Sequence, residues 1–230
     1  MILKKMKMMW VRTSARRYIS YLKKCGVKIG DNFRIFNDVR TIEIDLTRPS
    51  LITIGKNVAI NRNFSLLTHD FVSGVFLNLY SDFVPSSGAV VIGNNVHFGM
   101  NCTVLRGVTI GDNCFIAAGS VVTRDIPTGS IAGGVPAKVL CSLDDYYAKR
   151  KSLSKKEAID YARSIMLRFN RRPVASDFWE EFPLFVDNEN IDEYPEIPIR
   201  QQLGEHFDCW LATHKKDYKS FDDFLTSINL

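Results

Sequence analysis

His69 is the residue whose type and position most clearly favour chemistry. It lies in the segment FSLLTHDFVSG, residues 64–74, where a regular spacing of apolar residues stops. A neutral imidazole can accept a proton near neutral pH, which suits it to act as a general base. The interruption that follows, residues 70–88, is too apolar for a simple solvated linker. Because a long insertion into a compact repeat domain is usually functional or disordered, we expect the fold to open at this break.

The regular spacing has a period of six residues. From Ile92 to Val122 an apolar residue returns at every sixth position, and an apolar or small residue follows four places after each. The same register occurs from Ile54 to Leu66, and a first fragment begins at Ile29. Neither an α-helix nor a simple strand has this period. A six-residue period is the signature of a parallel β-helix.

Three such sides would form a triangular coil of about 18 residues. Each side chain would then stack on the residue 18 positions later, which predicts that Ile92 lies on Ile110 and Phe98 on Ile116. Glycine and asparagine at the corners permit turn conformations that larger side chains resist. A single coil buries no core of its own, so we expect the coils to stabilise one another by stacking.

Two segments resemble the hexapeptide-repeat acyltransferases. Residues 92–140, IGNNVHFGMNCTVLRGVTIGDNCFIAAGSVVTRDIPTGSIAGGVPAKVL, are similar to the O-acetyltransferase branch that contains maltose, galactoside and bacterial polysaccharide acetyltransferases. Residues 48–70, RPSLITIGKNVAINRNFSLLTHD, resemble the preceding coils of the polysaccharide members. The resemblance covers about residues 25–142. It implies a mainly β fold, a left-handed parallel β-helix with an N-terminal helix and a helical C-terminal extension.

The resemblance also implies roles for individual residues. His69 matches the family's catalytic histidine, and His97 stands where relatives carry an aromatic residue of the pocket wall. Acetyl-CoA is the implied donor, and the family joins donor and acceptor in one ternary complex without an acyl-enzyme. The implied coenzyme-binding positions are Gly99, Met100, Ala118, Thr123, Arg124 and Lys138. Asp45, Asn61 and Asn78 are hypotheses for sugar contacts that rest on position alone.

We expect three segments. Residues 1–25 place apolar residues among basic ones and predict an amphipathic helix that caps the open end of the β-helix, with contact to an anionic membrane as the second interpretation. Residues 26–141 form the β-helix domain, and its loop 70–88 is interpreted as an arm that packs on a neighbouring subunit and walls the active site. Residues 142–230 form the helical extension. Within it, residues 142–170 are predicted to be helical with SKKEA as the cap and start, and helical spacing returns over residues 199–230.

Composition limits the location and the partners. Five cysteines without CxxC spacing argue against a disulfide framework and favour a reducing compartment. No signal-peptide pattern follows MILKKMKMMW, and no window of about 18 apolar residues occurs. We therefore predict a cytoplasmic protein, with peripheral membrane contact through residues 1–25 as the second interpretation. No HExxH motif or carboxylate cluster is present, and His206 and His214 have no partner spacing, so no metal is predicted.

Positive charge is concentrated at the N-terminus. Residues 1–30 carry nine Lys or Arg and no acid, residues 31–141 carry eight of each sign, and residues 142–230 carry 13 basic and 17 acidic side chains. The formal net charge of +5 is therefore a feature of the N-terminus. This distribution argues against a general nucleic-acid-binding surface, and no nucleic-acid partner is predicted.

Pattern and resemblance together predict an acetyl-CoA-dependent O-acetyltransferase. The predicted enzyme is a homotrimer that acts on a sugar hydroxyl in glycan or surface polysaccharide biosynthesis. Two alternatives stay open at this point. One is an N-acetyltransferase acting on an amino sugar or an antibiotic, and the other is a noncatalytic β-helix scaffold.

Overall fold

The computed structural model describes residues 9–230, and its short strands wind into a three-sided coil. The strand bounds are β1 Lys28–Ile29, β2 Arg34–Ile35, β3 Glu43–Ile44, β4 Ile52–Ile54, β5 Ala59–Ile60, β6 Ser65–Leu66, β7 Val90–Ile92, β8 Val96–Phe98, β9 Thr103–Val104, β10 Thr109–Ile110, β11 Cys114–Ile116, β12 Val121–Val122, β13 Ser130–Gly133 and β14 Lys138–Ser142. From β1 to β12, strands that follow one another in the sequence belong to successive sheets.

The strands form three sheets, one for each side of the coil. Sheet A has the order β1-β4-β7-β10, sheet B the order β2-β5-β8-β11-β13-β14, and sheet C the order β3-β6-β9-β12. Every pairing is parallel except that of β13 with β14, which closes sheet B with an antiparallel strand. The predicted stack of parallel strands on three sides is therefore confirmed.

The register of the last two full coils matches the prediction. Ile92 pairs with Ile110 and Phe98 with Ile116, each 18 residues apart. The earlier coils depart from this spacing: the first and second are offset by 22 residues on sheet C and 25 on the other two sheets. The second and third are offset by 38. The additional residues lie in connections between sides, so the strands keep their pairing.

The inward-facing side chains of all coils form one continuous apolar core. Burying each such side chain contributes on the order of 1.5–3 kcal/mol, so the stack is stabilised along its whole length. The fully buried members include Ile52, Ile54, Val58, Ile60, Phe64, Leu66, Val90, Val96, Val104, Ile116 and Val122.

Three corners join the sides. The residues that connect sheet A to sheet B are the A–B corner, those from B to C are the B–C corner, and those from C back to A are the C–A corner. The A–B corner comprises residues 30–33, 55–58, 93–95 and 111–113; the B–C corner 36–42, 61–64, 99–102 and 117–120; the C–A corner 45–51, 67–89, 105–108 and the residues after Val122.

The A–B corner repeats the same two residue types in every coil. Its glycines lie directly above one another, and a Cβ added to Gly55 would come within 2.4 Å of the carbonyl oxygen of Gly93. Two residues after each glycine, an asparagine adopts the left-handed conformation. The side chain of Asn95 donates a hydrogen bond of 2.8 Å to Asn113. The corresponding asparagines of the first two coils, Asn32 and Asn57, are joined in the same way.

Helix α1, Ala15–Cys25, covers the first coil. Its Tyr18 and Leu22 are fully buried and belong to the same core as the strands, while its basic residues face outward. This arrangement is the one expected of a cap. Residues 1–8 of the predicted amphipathic helix lie outside the described residues. Within the described part, no helix has the length and apolar character needed to span a bilayer.

The chain divides into two compact units between Tyr146 and Tyr147. The second unit has its own core, built around Phe178, Phe185 and Phe224. The helix predicted over residues 142–170 extends from Leu143 to Phe169, which confirms its span, but SKKEA, residues 154–158, lies inside this helix and is not its start. The helices after α1 are α2 Ser73–Tyr80, α3 Leu143–Phe169, α4 Ile199–Leu203, α5 Phe207–Thr213 and α6 Phe221–Ser227.

Candidate active site

The C–A corner departs furthest from regular geometry, and it carries His69. Strands β3 and β6 are neighbours in sheet C, and both end at this corner. The backbone N–H of Asp45 donates to the carbonyl of Leu66 at 2.9 Å, so the pairing continues for one residue past the strands. Asp45 and His69 therefore leave adjacent coils on the same side.

The His69 ring is held by the carboxylate of Asp45. Nδ1 of His69 lies 2.6 Å from Oδ2 of Asp45, and the two side chains are only 16% and 5% exposed. The Thr47 hydroxyl donates to Oδ1 of Asp45 at 2.6 Å, and both the backbone N–H and the hydroxyl of Thr68 donate to Oδ2. The carboxylate is thus saturated, and Nδ1 is the ring nitrogen that carries the proton.

These hydrogen bonds keep Asp45 ionised. Burial alone would raise the pKa of its carboxyl group, but the hydrogen bonds from Thr47, Thr68 and His69 outweigh that effect and hold the pKa well below its ordinary value. In the neutral imidazole, the carboxylate of Asp45 holds the proton on Nδ1, so Nε2 is the nitrogen with a free lone pair. Among residues 9–230, Nε2 has no hydrogen-bond partner. The ring is arranged to accept a proton.

His69 lines a cleft of about 460 Å³ at the C–A corner. The ring of Phe71 meets the imidazole edge-on, with ring centroids 5.0 Å apart. Successive coils contribute a column of side chains at this corner, so the cleft extends along the axis of the stack. Its lining residues are Leu67, His69, Asp70, Phe71, Leu105, Arg106 and Thr123.

The interruption after His69 contains helix α2 and is fastened at its base. Nε of Arg106 donates to Oδ2 of Asp70 at 2.8 Å, and the backbone N–H of Asp70 donates to the Ser86 hydroxyl at 3.3 Å. The Ser86 and Arg106 side chains lower the pKa of Asp70 to about 2, so the ion pair persists at neutral pH. The segment exposes Phe71, Val75, Leu77, Leu79, Tyr80, Phe83 and Val84.

The residues predicted to bind a coenzyme fall at two different corners of one chain. Thr123 lines the His69 cleft, and Arg124 follows it at the C–A corner. Gly99, Met100 and Ala118 lie together at the B–C corner, where a Cβ on Gly99 would come within 2.5 Å of the Ala118 nitrogen. Lys138 lies on the antiparallel strand β14 of sheet B, with its side chain exposed.

The B–C corner offers an open backbone donor. The N–H of Gly99 is bonded to the carbonyl of Ile116 at 2.8 Å, and the carbonyl of Met100 accepts from Gly119 at 2.8 Å. The N–H of Met100 has no acceptor among the residues that the structure describes. That amide is open to bind an oxyanion.

The three residues predicted for sugar contacts lie at different places in the fold. Asp45 is buried against His69, so its carboxylate orients the ring in this structure. Asn61 accepts a hydrogen bond of 2.6 Å from Asn37 at the B–C corner. Asn78 is exposed on helix α2. The sequence pattern did not identify Thr47 and Thr68 as partners of Asp45. Both residues follow strands that pair in sheet C, so their positions just after β3 and β6 are the signal that could have found them.

The remaining histidines are not among the residues that line the cleft. His97 is half-buried in the middle of β8 on sheet B, where burial and the positive charge of Arg34 lower its pKa. His206 is exposed, while His214 stacks on Trp210 and contacts the carbonyl of Pro183 at 2.7 Å in the second unit. Over residues 9–230, no group of three or more His, Cys, Asp or Glu side chains is placed to hold a metal ion.

Comparison with known proteins identifies related sequences. Residues 89–124 match the family model "Bacterial transferase hexapeptide (six repeats)". The chain is 39% identical to Protein CapG of Staphylococcus aureus over 132 residues, which are 56% of this chain and 73% of CapG. It is 41% identical to galactoside O-acetyltransferase of Escherichia coli over 138 residues, which are 57% of this chain and 63% of that enzyme, less than two thirds of its length.

A solved structure is also similar. A hexapeptide-repeat-containing acetyltransferase of Vibrio cholerae, complexed with acetyl-CoA, matches 59% of this chain and 82% of its own. The two are 25% identical, with a TM-score of 0.43. The sequence relatives therefore carry the family assignment.

Proposed function

The chain belongs to the hexapeptide-repeat transferase family, and on that premise we propose that it transfers an acetyl group from acetyl-CoA to a sugar hydroxyl. The galactoside O-acetyltransferase among its relatives supports a sugar acceptor and O-transfer. The resemblance of residues 48–70 to polysaccharide acetyltransferases supports a role in glycan or surface polysaccharide biosynthesis. The same resemblance supports a left-handed coil.

The observation that carries the proposal is the pairing of His69 with Asp45 in an open cleft. With Nδ1 bonded to the carboxylate at 2.6 Å, Nε2 is the nitrogen available to a substrate. A neutral imidazole in this tautomer can take a proton from a hydroxyl as that hydroxyl attacks. The Asp45 charge then stabilises the imidazolium that forms.

The reaction balances with these groups. The acceptor oxygen forms a bond to the thioester carbonyl carbon while its proton passes to Nε2 of His69. The tetrahedral intermediate collapses as the carbon–sulfur bond breaks, and the imidazolium returns the proton to the leaving thiolate. No acyl-enzyme is needed, so alignment of donor and acceptor in one complex supplies much of the rate.

The oxyanion of that intermediate needs a donor, and the open N–H of Met100 is our assignment. Because Met100 lies at the B–C corner and His69 at the C–A corner, we propose that the site forms between two copies of the chain. Gly99 and Ala118 leave room for the pantetheine arm beside Met100. Thr123, Arg124 and Lys138 bind the rest of the coenzyme, with the two cations meeting its phosphates.

A homotrimer satisfies this geometry, since three copies create three equivalent sites. Helix α2 and its flanking residues expose an apolar surface that a neighbouring copy can cover. Sedimentation should therefore give the mass of three 26.2 kDa chains. Leu79→Asp should weaken the assembly, whereas Leu167→Asp, at an exposed position of the second unit, should leave it intact. A monomeric wild-type protein would refute the shared site.

We propose a cytoplasmic enzyme whose N-terminal segment can also approach a membrane surface. Met9 and Trp10 are exposed, and Arg17 lies over the Trp10 ring at 4.5 Å. Exposed aromatic and basic side chains favour the interface of an anionic bilayer. The proposal is tested by sedimentation with vesicles of anionic and of neutral lipids, and binding to neither would refute it.

The activity itself is tested by release of coenzyme A thiol from acetyl-CoA in the presence of sugars and amino sugars. We expect turnover with hydroxyl acceptors and a loss of about 10²- to 10⁴-fold in kcat for His69→Ala. His206→Ala, a matched change at an exposed histidine, should behave as wild type. Turnover of amines alone would replace O-transfer by N-transfer, and the absence of turnover with every acceptor would favour a noncatalytic scaffold.

A further inference from the structure

The carboxylates beside His69 are already occupied by protein donors. Both oxygens of Asp45 accept hydrogen bonds from within the chain. Asp70 is occupied as well, since Oδ1 accepts from the N–H of Val72 at 3.2 Å and Oδ2 accepts from Arg106 at 2.8 Å. The carboxylates of Asp45 and Asp70 therefore already accept hydrogen bonds from the protein. A substrate in the cleft meets few carboxylate oxygens that are free to accept another.

Arg106, in contrast, presents open donors to the cleft. Its Nε is fixed by Asp70, and its side chain is 42% exposed. Within residues 9–230, its two terminal nitrogens have no hydrogen-bond partner. A planar guanidinium that is held in place at one nitrogen and open at the others matches the paired oxygens of a carboxylate or a phosphate.

A second guanidinium lies close to the same imidazole. Arg48 donates from Nη1 to the Thr47 hydroxyl at 3.3 Å, and that hydroxyl lies 3.3 Å from Nδ1 of His69. The surroundings of the base thus combine two arginines with two committed carboxylates. The formal charges balance, and what remains for a substrate is the set of unused N–H donors on Arg106, which suits an anionic group.

We infer that the acceptor is an acidic sugar and that Arg106 determines this specificity by pairing with its carboxylate or phosphate group. The inference rests on the proposed function and adds the chemical class of the acceptor. His69 then receives the proton of a hydroxyl on a sugar whose acidic group is held one coil away. Arg106 is a specificity residue, and His69 remains the base.

The position of Arg106 assigns the anion to the acceptor and not to the donor. Arg106 belongs to the coil next to that of His69, and neighbouring strands lie about 4.8 Å apart. In acetyl-CoA the phosphates are separated from the thioester by the whole pantetheine arm. A phosphate of the donor therefore lies beyond Arg106 when the thioester is beside His69.

The test compares matched acceptors that differ in charge. Methyl uronides and hexose 6-phosphates are assayed against the corresponding methyl hexosides in the gluco, galacto and manno series, with acetyl-CoA as donor. We expect a higher kcat/KM for at least one acidic member of a pair, and a loss of about 10- to 100-fold in that preference for Arg106→Gln. Arg106→Lys should retain part of the preference, because lysine keeps the positive charge but lacks the parallel N–H donors of the guanidinium.

Two further variants separate recognition from support of the arm. Asp70→Asn breaks the ion pair but keeps the guanidinium, so it should retain more of the preference for acidic acceptors than Arg106→Gln retains. Arg16→Gln, an exposed arginine of α1, should leave the preference unchanged. If Asp70→Asn abolishes the preference as fully as Arg106→Gln, Arg106 acts only by holding the loop 70–88 in place through Asp70. The inference is then wrong.

Binding provides a readout that does not depend on turnover. Ligand-observed NMR with the His69→Ala protein should detect an acidic sugar of the panel more strongly than its neutral partner, and Arg106→Gln in that background should remove the difference. Equal binding and equal kcat/KM for every pair would overturn the inference while leaving the proposed activity intact. An effect of Arg106→Gln confined to the KM of acetyl-CoA would assign the anion to the donor and overturn it too.

Discussion

The A–B corner and the C–A corner are parts of the same coil that follow opposite rules. At the A–B corner every full coil places a glycine and, two residues later, a left-handed asparagine, and these residues stack on their equivalents. At the C–A corner no two coils are alike: one connection contains a short 3₁₀ turn and the next contains helix α2. The base lies at the irregular corner.

The contrast shows what repetition provides and what it prevents. A repeated corner satisfies its own polar groups by stacking, as the hydrogen bond from Asn95 to Asn113 illustrates. Such a corner leaves little room for a substrate. Where the repeat is broken, Asp45 and His69 meet across adjacent coils and a cleft opens beside them. Chemistry is therefore expected at the break, and stability at the repeat.

The largest effect is expected from a change at the irregular corner. Asp45→Asn keeps the shape of the side chain but removes the charge that fixes the His69 tautomer. We expect kcat to fall about 100-fold in the thiol-release assay. Asp38→Asn, at an exposed aspartate of the B–C corner, should retain wild-type kcat. Wild-type activity for Asp45→Asn would contradict the claim that the pair of Asp45 and His69 at the C–A corner carries the chemistry.

A change at the repeated corner should affect stability instead. In Gly55→Ala the new Cβ would come within 2.4 Å of the backbone oxygen of Gly93, which cannot move without shifting a coil. We expect a loss of about 1–3 kcal/mol in the free energy of unfolding, measured by urea denaturation. The control is Gly74→Ala, because a Cβ at Gly74 has no heavy atom within 4 Å. Equal stabilities for the two variants would contradict the close stacking of this corner.

A smaller effect is expected on the pH dependence of the free energy of unfolding, because Asp45 at the C–A corner also contributes to stability. The pKa of Asp45 is lowered in the folded protein, so its contribution to stability is present above the unfolded pKa of about 3.9 and is lost as the pH falls below it. Acidification from pH 5 to pH 3 should therefore destabilise the wild type by about 1 kcal/mol more than Asp45→Asn. Urea titrations at both pH values measure the difference. Parallel losses in the two proteins would show that Asp45 is not held in its ionised form.

The sequence predicted the regular part of the molecule better than the irregular part. Stacking of Ile92 on Ile110 follows directly from a period of six, because each residue of a repeat has one neighbour in the next coil. The offset of 22 residues that aligns β3 with β6 has no such rule, and the sequence therefore offers only position as a reason to place Asp45 in sugar contact. Its place beside His69 depends on how many residues the first coil inserts.

The resemblance to a family could place His69 at the break but could not supply its surroundings. The buried Thr68 and the pair of Arg106 with Asp70 depend on backbone paths that no periodic pattern encodes. The division of the coenzyme-binding positions between two corners is likewise a consequence of three-sided winding. It becomes apparent only when the strands are assigned to sheets.

A crystal structure of the assembled protein with coenzyme A bound would test the central claim most directly. The distance to measure joins Nε2 of His69 to the sulfur of the coenzyme. We predict a separation of about 3–4 Å, as general-base catalysis beside a thioester requires, with the N–H of Met100 from another copy facing the same point. A sulfur atom bound at another corner, out of reach of His69, would contradict the account.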